Sequence, residues 1–289
     1  MSKILGVGVA TLDIINTVEQ YPREDDEVRA LAHTVQRGGN VSNTLCVLAQ
    51  FKHNCSWAGV IADDAYARVI RQDFEINHVA MNWSVCIPNT VSPVSHILLS
   101  QQSAKRTIVH YRDLPEFSYS NFSPISLTDF DWIHFEGRNI DQTLLMLRAL
   151  PPGFAIPVSI EIEKPRDNIH ALFEYADVLM FSRAFVIHQG YKSPKAFLDN
   201  MHGQYPDCLL FCAWGEVGAY AIDRSGHFFS SEIKNQSPVV DTLGAGDVFN
   251  AGVIHAILQG LSVIECLEYA CELATKKCGQ SGFSGLADS

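Results

Sequence analysis

Asp241-Thr242-Leu243-Gly244-Ala245-Gly246-Asp247 sets a glycine-rich stretch immediately ahead of a carboxylate. Upstream, Val239 and Val240 read as the end of a strand; downstream, Val248 to Leu258 is an apolar-periodic run closed by Gly260, which predicts a helix over 247–258. Gly244-Ala245-Gly246 therefore falls at a helix N-terminus, where backbone free of bulky side chains lets amides approach an anion and the helix dipole favours negative charge. A transferring phosphoryl group needs that environment. Asp247 beside it suits a base that takes the proton of an attacking hydroxyl while the Gly244–Gly246 amides stabilise the migrating charge. Two plainer readings stay open: Asp247 complements the helix dipole, and Asp241 or Thr242 is a turn or cap residue.

Composition bounds the rest. The chain has 289 residues, 47% hydrophobic and 18% charged, which suits a folded globular protein. A formal charge of −11 argues against a nucleic-acid or anionic-membrane surface, since phosphate contacts need a basic field. The eight cysteines form no CxxC pair, so they read as reduced, mostly buried thiols rather than a zinc ribbon or dithiol site. The 11 histidines show no HExxH. Ile4 to Ala10 leads into Asp13 and reads as a first buried strand rather than a signal peptide, and no apolar stretch approaches a membrane span. A cytoplasmic protein with no membrane partner is expected.

Strand-like runs at 4–10, 55–60, 132–136, 158–163, 178–182 and 209–213 alternate with helix-like patterns at 39–51, 64–74, 141–150, 168–174, 193–202 and 263–277. That alternation predicts an α/β fold with a mostly parallel sheet and helices on both faces. Two regions break it: 12–19 with 27–36, and 91–100 with 106–112, read as strand pairs without an intervening helix, a small antiparallel β lid from roughly 11–37 and 91–115. A single domain spans 1–289. The acidic run Glu24-Asp25-Asp26-Glu27 reads as a solvated turn between two lid strands or as a source of carboxylates for sugar hydroxyls.

Gly6-Val7-Gly8-Val9-Ala10-Thr11 lacks the third glycine of a dinucleotide fingerprint, and no Walker A sequence is present. Arg37-Gly38-Gly39-Asn40-Val41-Ser42-Asn43 is the second strong signal, with two glycines and two amide side chains where a loop enters a helix. Asn40 is either a helix cap or, with Asn43 and Asp13, part of a hydrogen-bonding pocket suited to an unphosphorylated sugar.

The Gly38-Gly39-Asn40 motif, followed far downstream by Asp241 to Asp247, resembles the ribokinase-like family of carbohydrate kinases. Glu161 to Arg166, Cys212-Ala213-Trp214 and Lys276 to Gly279 extend the resemblance along the chain. It implies a three-layer α/β/α fold with a β lid, ATP as phosphoryl donor, magnesium, and a ketohexose such as fructose as acceptor at its C1 hydroxyl. Carried over, Asp13, Asp25, Gly39, Asn40 and Asn43 would bind sugar, Arg106 would reach the phosphates and Asp247 would be the base. Arg138 would lie near the phosphates or the sugar, or form a structural ion pair. Gly215, Glu216, Gly218, Cys278 and Gly279 would line the adenosine side. Phe181-Ser182-Arg183-Ala184 lacks the Asn-x-x-Glu element that organises the metal-bound water in many relatives, which leaves Glu161 and Glu163 as metal candidates or as an ion-paired strand end. Ribose, a nucleoside or an acidic sugar remain alternative acceptors, and a non-catalytic binding protein on the same fold is a further alternative. A homodimer through the lid sheets is expected, because exposed sheet edges invite pairing.

Overall fold

The computed structural model describes residues 1–103, 105–151, 153–233 and 238–287; the remaining positions, including 104 in the expected lid and 288–289 at the end of the expected domain, lie outside the described residues. Thirteen strands occur among them: β1 (Lys3–Val7), β2 (Thr11–Val18), β3 (Ala32–Gly38), β4 (Asn54–Ala62), β5 (Ala80–Ile87), β6 (Val94–Ser100), β7 (Arg106–Tyr111), β8 (Trp132–Glu136), β9 (Val158–Ile162), β10 (Val178–Ser182), β11 (Leu209–Ala213), β12 (Gly218–Ile222) and β13 (Phe228–Glu232). The helices are α1 (Asn40–Gln50), α2 (Ala65–Ile76), α3 (Tyr119–Phe122), α4 (Ile140–Arg148), α5 (Arg183–His188), α6 (Pro194–Gln204), α7 (Ala245–Leu258) and α8 (Val263–Cys278).

Nine strands form one sheet in the order β13-β12-β11-β10-β9-β8-β1-β4-β5. Every pairing from β11 to β5 is parallel; β12 and β13 add an antiparallel edge. Strands β8 and β9 are buried along their whole length, as expected where helices cover both faces. Helices α1, α7 and α8 pack together over one face, and α4, α5 and α6 cover the other. The α7–α8 approach depends on Gly252, where a Cβ would lie 2.8 Å from the Ala270 Cα.

The second sheet, β3-β2-β6-β7, consists of two antiparallel pairs joined by a parallel β2–β6 pairing. It is built from two insertions, β2–β3 between β1 and α1 and β6–β7 between β5 and β8, so that β2 follows β1 closely and β3 leads straight into α1. The chain leaves β1 after Val7, bends at Gly8 and enters β2 at Thr11, which divides the single first strand expected over 4–10. The main-sheet strands β5, β12 and β13 have no counterpart in the sequence expectations, and 169–175 winds as a 3₁₀ helix. Val239 and Val240 lie outside any strand and are exposed, with the Val240 amide donating to the Cys278 carbonyl at 2.8 Å. Six of the eight cysteines are buried and all are free; Cys86 is exposed.

Candidate active site

The first β2 residues, the N-termini of α1 and α7, and the C-terminal ends of β8, β9 and β10 converge on a cleft of ≈ 710 Å³. The location is the usual one for an open α/β sheet, beyond the carboxyl ends of its parallel strands. Asp13, Gly39, Asn40, Asn43, Arg106, Arg138, Glu161, Glu163 and Gly244–Asp247 all line it. Asp25 does not join them: it is exposed in the turn between β2 and β3 at φ +68°.

Helix α7 begins two residues earlier than its apolar run suggests, with Gly244 as N-cap at φ +75° and no side-chain cap. Asp247 is therefore in the first turn but does not cap it. Its Oδ2 accepts from Asn43 Nδ2 at 2.7 Å, and its carbonyl accepts from Thr44 Oγ1 at 3.1 Å. Burial raises the carboxyl to a pKa of about 8, with Glu163 and Glu136 adding to the rise and Asn43 and Arg37 opposing it. Asp241, by contrast, is a turn residue: Oδ1 accepts from the Leu243 amide at 2.9 Å, and Oδ2 accepts from Lys277 Nζ at 2.8 Å.

Lys277 has a fully buried side chain, and its ammonium also donates to the Asp241 carbonyl at 3.0 Å. It anchors the loop ahead of α7 from α8. Removing one partner of a buried pair strands the other, so Lys277→Met is expected to cost about 3 kcal/mol. The corresponding fall in melting temperature, roughly 5–10 °C, is read by calorimetry; an unchanged melting temperature would show that the loop needs no such anchor.

Across the cleft from α7, Gly39 caps α1 at φ +103°, where a Cβ would stand 2.3 Å from the Val9 carbonyl oxygen. Asn40 is not a cap, because its Nδ2 crosses to Glu163 Oε2 at 3.1 Å. Asp13 lies against Gly38, accepts from Thr11 Oγ1 at 3.0 Å and has its pKa raised by burial. Arg138 forms ion pairs with Glu116 at 2.7 Å and Glu136 at 3.1 Å while still lining the cleft. The ion-pair reading of Arg138 describes this geometry.

A second chamber of ≈ 660 Å³ opens on the far side of Thr242 and Gly246, lined by Gly215, Glu216, Gly218, Cys278 and Gly279 among others. Arg106, from β7, borders both chambers and donates to Thr242 Oγ1 at 3.2 Å. Glu216 pairs with Arg183 at 3.0 Å on the surface. Gly218 is also required by the fold, at φ +125° with its α-carbon facing the Ser231 carbonyl. Cys278 is half-buried, and burial raises its thiol pKa.

Three residues given no role by the sequence, Glu136, Asn250 and Arg37, join the expected Glu161 here. Glu136 and Glu161 are register partners on β8 and β9, which places two carboxylates side by side on the cleft floor. Asn250, three residues after Asp247 and thus on the same helix face, donates to Glu161 Oε1 at 3.1 Å. Arg37 reaches Asn43 from β3. Only the Asp247–Asn250 spacing was visible in the sequence. Glu161 Oε2 has no hydrogen-bond partner although the residue is 6% exposed, and its carboxyl is pushed well above the ordinary range by burial and then by Asp247, Glu163 and Glu136.

The chain matches the pfkB family of carbohydrate kinases over residues 1–288. It is 37% identical over 293 residues to ketohexokinase of Mus musculus, covering 98% of each chain. It is 22% identical to ribokinase of Bacillus subtilis strain 168, covering 99% of this chain and 96% of that protein. The structure of Arabidopsis thaliana ribokinase complexed with ribose and ATP superposes with a TM-score of 0.80 at 18% identity, covering 97% of this chain and 94% of that one. No described helix is long and apolar enough to cross a membrane. The whole-chain family match and the full-length relatives make this protein a member of the pfkB family, an ATP-dependent carbohydrate kinase that phosphorylates an alcohol group.

Proposed function

We propose that the protein transfers the γ-phosphate of ATP to a hydroxyl of a ketohexose, fructose in the first place, giving fructose 1-phosphate. The observation that carries this reading is the position of Asp247, held by Asn43 between the hydroxyl-binding groups of α1 and β2 and the amide-rich start of α7. The extent of identity to a ketohexokinase supports the acceptor. Asp13, Gly39, Asn40 and Asn43 bind the sugar, and Asp247 takes the proton from the attacking oxygen. As that oxygen bonds to the γ-phosphorus, the bond to the β–γ bridging oxygen breaks and ADP leaves. First-turn amides of α7 lack intrahelical acceptors and face the migrating charge, and Arg106 meets it from the other wall. The adenosine occupies the chamber bounded by Gly215, Gly218, Cys278 and Gly279.

Among the described residues, no group of three or more His, Cys, Asp or Glu side chains could cage a metal by itself. The carboxylate floor nonetheless fits magnesium, which keeps several of its waters and needs only one or two carboxylates. Glu161, with its unpartnered Oε2, and Glu163 are the side chains that would hold it. When bound, the ion neutralises charge on the phosphates.

The whole chain acts as one kinase unit, with the β3-β2-β6-β7 sheet as its lid. A second copy pairs through this sheet, where the edge strand β7 is exposed along its full length. The test of the activity is ADP release with MgATP against fructose, other ketohexoses, ribose, adenosine and an acidic sugar, with the product's phosphate located by NMR. Lys164 and Arg166 line the cleft beside Arg138, which keeps the acidic acceptor on the panel. Preferred formation of fructose 1-phosphate is expected; preference for ribose, adenosine or the acidic sugar would retain the chemistry and reject the acceptor.

A further inference from the structure

A buried arginine outside both chambers touches the group that holds Asp247. Arg37, the penultimate residue of β3, is 3% exposed. Its Nε is bound by Asp73 of α2 at 2.5 Å, and its guanidinium lies over the Phe74 ring at 5.3 Å. Its Nη1 donates to Ser42 Oγ at 2.9 Å and to Asn43 Oδ1 at 2.7 Å.

The last contact has a directional consequence. An asparagine amide offers an oxygen that accepts and a nitrogen that donates, and the two ends are nearly equal in shape. A guanidinium only donates. Whichever end of Asn43 faces Arg37 must be the oxygen, which leaves the nitrogen for Asp247. Turned the other way, the amide would set its oxygen against the Asp247 carboxylate and its nitrogen against a cation.

We propose that Arg37 is a positioning residue for phosphoryl transfer: it selects the donor end of Asn43 for Asp247 and thereby orients the carboxylate that takes the substrate's proton. The inference rests on the reading of Asp247 as the base. It also gives the junction between the small sheet and α1 a direct mechanical link to the reacting centre. Asp73 and Phe74 set the guanidinium, the guanidinium sets the amide, and the amide sets the carboxylate. The charges facing Asp247 are Glu136 from β8, Glu163 just beyond β9, and Arg37 from β3; Glu161 of β9 shares the same field.

The test compares Arg37→Gln and Arg37→Lys with the parent enzyme in kinase assays with MgATP and fructose, alongside Asp247→Asn. In folded Arg37→Gln, kcat falls on the order of tenfold to a hundredfold, since a misdirected base is a misplaced reactant. KM for ATP is unchanged. The acid limb of the pH profile moves upward by about one unit, because a cation that favours ionised Asp247 is gone and the Asn43 bond is no longer enforced. Arg37→Lys keeps a donor-only cation and returns the limb most of the way, with partial recovery of kcat. Parent-like kcat and limb in folded Arg37→Gln, or a lysine variant no better than glutamine, would overturn the proposal.

Asn43→Asp keeps the proposal testable if Arg37→Gln fails to fold. It pairs well with Arg37 but offers Asp247 no donor, so kcat falls and the acid limb rises; parent-like values for both would show that end selection has no role. Normal turnover by Asp247→Asn is a separate outcome, which removes the base assignment itself and this inference with it.

Discussion

Asp247→Asn is expected to lower kcat by about three orders of magnitude or more, while ATP still binds and the fold is retained. The substitution is nearly isosteric, and the side-chain oxygen of the new amide can still accept from Asn43 Nδ2, so the packing at the start of α7 survives. What is lost is the ability to take a proton. In the parent enzyme, burial, then Glu163 and Glu136, raise the Asp247 carboxyl to about 8 against the opposing pull of Asn43 and Arg37. Only the ionised form is a base, so kcat/KM is expected to climb with pH and level off above about 8, and this limb should vanish from the residual activity of the variant.

The same shift carries a stability signature of definite sign. A carboxyl whose pKa is raised on folding contributes stability that is fully present below its ordinary value of 3.8 and is lost as pH rises through about 8. Ligand-free enzyme should therefore melt at a lower temperature at pH 9 than at pH 6 from this cause, and Asp247→Asn should narrow that difference. Steady-state kinetics and melting curves at the two pH values decide the matter. Near-normal kcat in a folded variant would remove Asp247 from the proton transfer.

Local signals made the two ends of the site legible in the sequence. Gly244-Ala245-Gly246-Asp247 and Gly38-Gly39-Asn40 each lie at the start of one helix, and each motif states its requirement within a few residues. The buried strands β4, β8, β9, β10 and β11 were legible for a related reason, since burial on both faces leaves a mostly apolar run even where His134, Ser159 or Glu161 interrupts it. Strand β5, with Asn82 and Ser84 among its residues, and β13, which ends in Ser230-Ser231-Glu232, lack such a run, while β12 opens on Gly218 and is built largely of small residues; they belong to the sheet through their pairing. Val239 and Val240 mislead in the opposite sense: two β-branched residues in an exposed segment whose backbone bonds go to the end of α8. The connections between the motifs could not be seen at all. Asn43 and Asp247 meet across 204 positions, and Asn40 meets Glu163 across 123. Those contacts exist because α1 and α7 pack side by side and β9 ends beneath them, which is a property of the sheet order rather than of any local pattern.

Gly39 and Gly246 differ in what surrounds them, and substituting each by alanine should have opposite consequences. At Gly39 the backbone sits at φ +103°, and the added Cβ would meet the Val9 carbonyl oxygen at 2.3 Å. That nearest neighbour is backbone and cannot swing away as a side chain could. Gly39→Ala should destabilise by roughly 3 kcal/mol and disorganise the start of α1, with sugar affinity falling as stability does. Gly246 lies inside the first turn of α7, and a Cβ there meets nothing within 4 Å. Alanine is the better helix former by about 1 kcal/mol, so Gly246→Ala should melt at the parent temperature or slightly above it. The space that the methyl group enters is the boundary between the two chambers, where Gly246 is shared by both linings. If the transferred phosphoryl group passes there, turnover should fall on the order of a hundredfold through loss of close amide contact, with the protein fully folded. A Gly246→Ala enzyme of parental activity would place the phosphates elsewhere in the cleft. Lost stability with retained turnover would give this glycine a structural task and withdraw the anion-binding one.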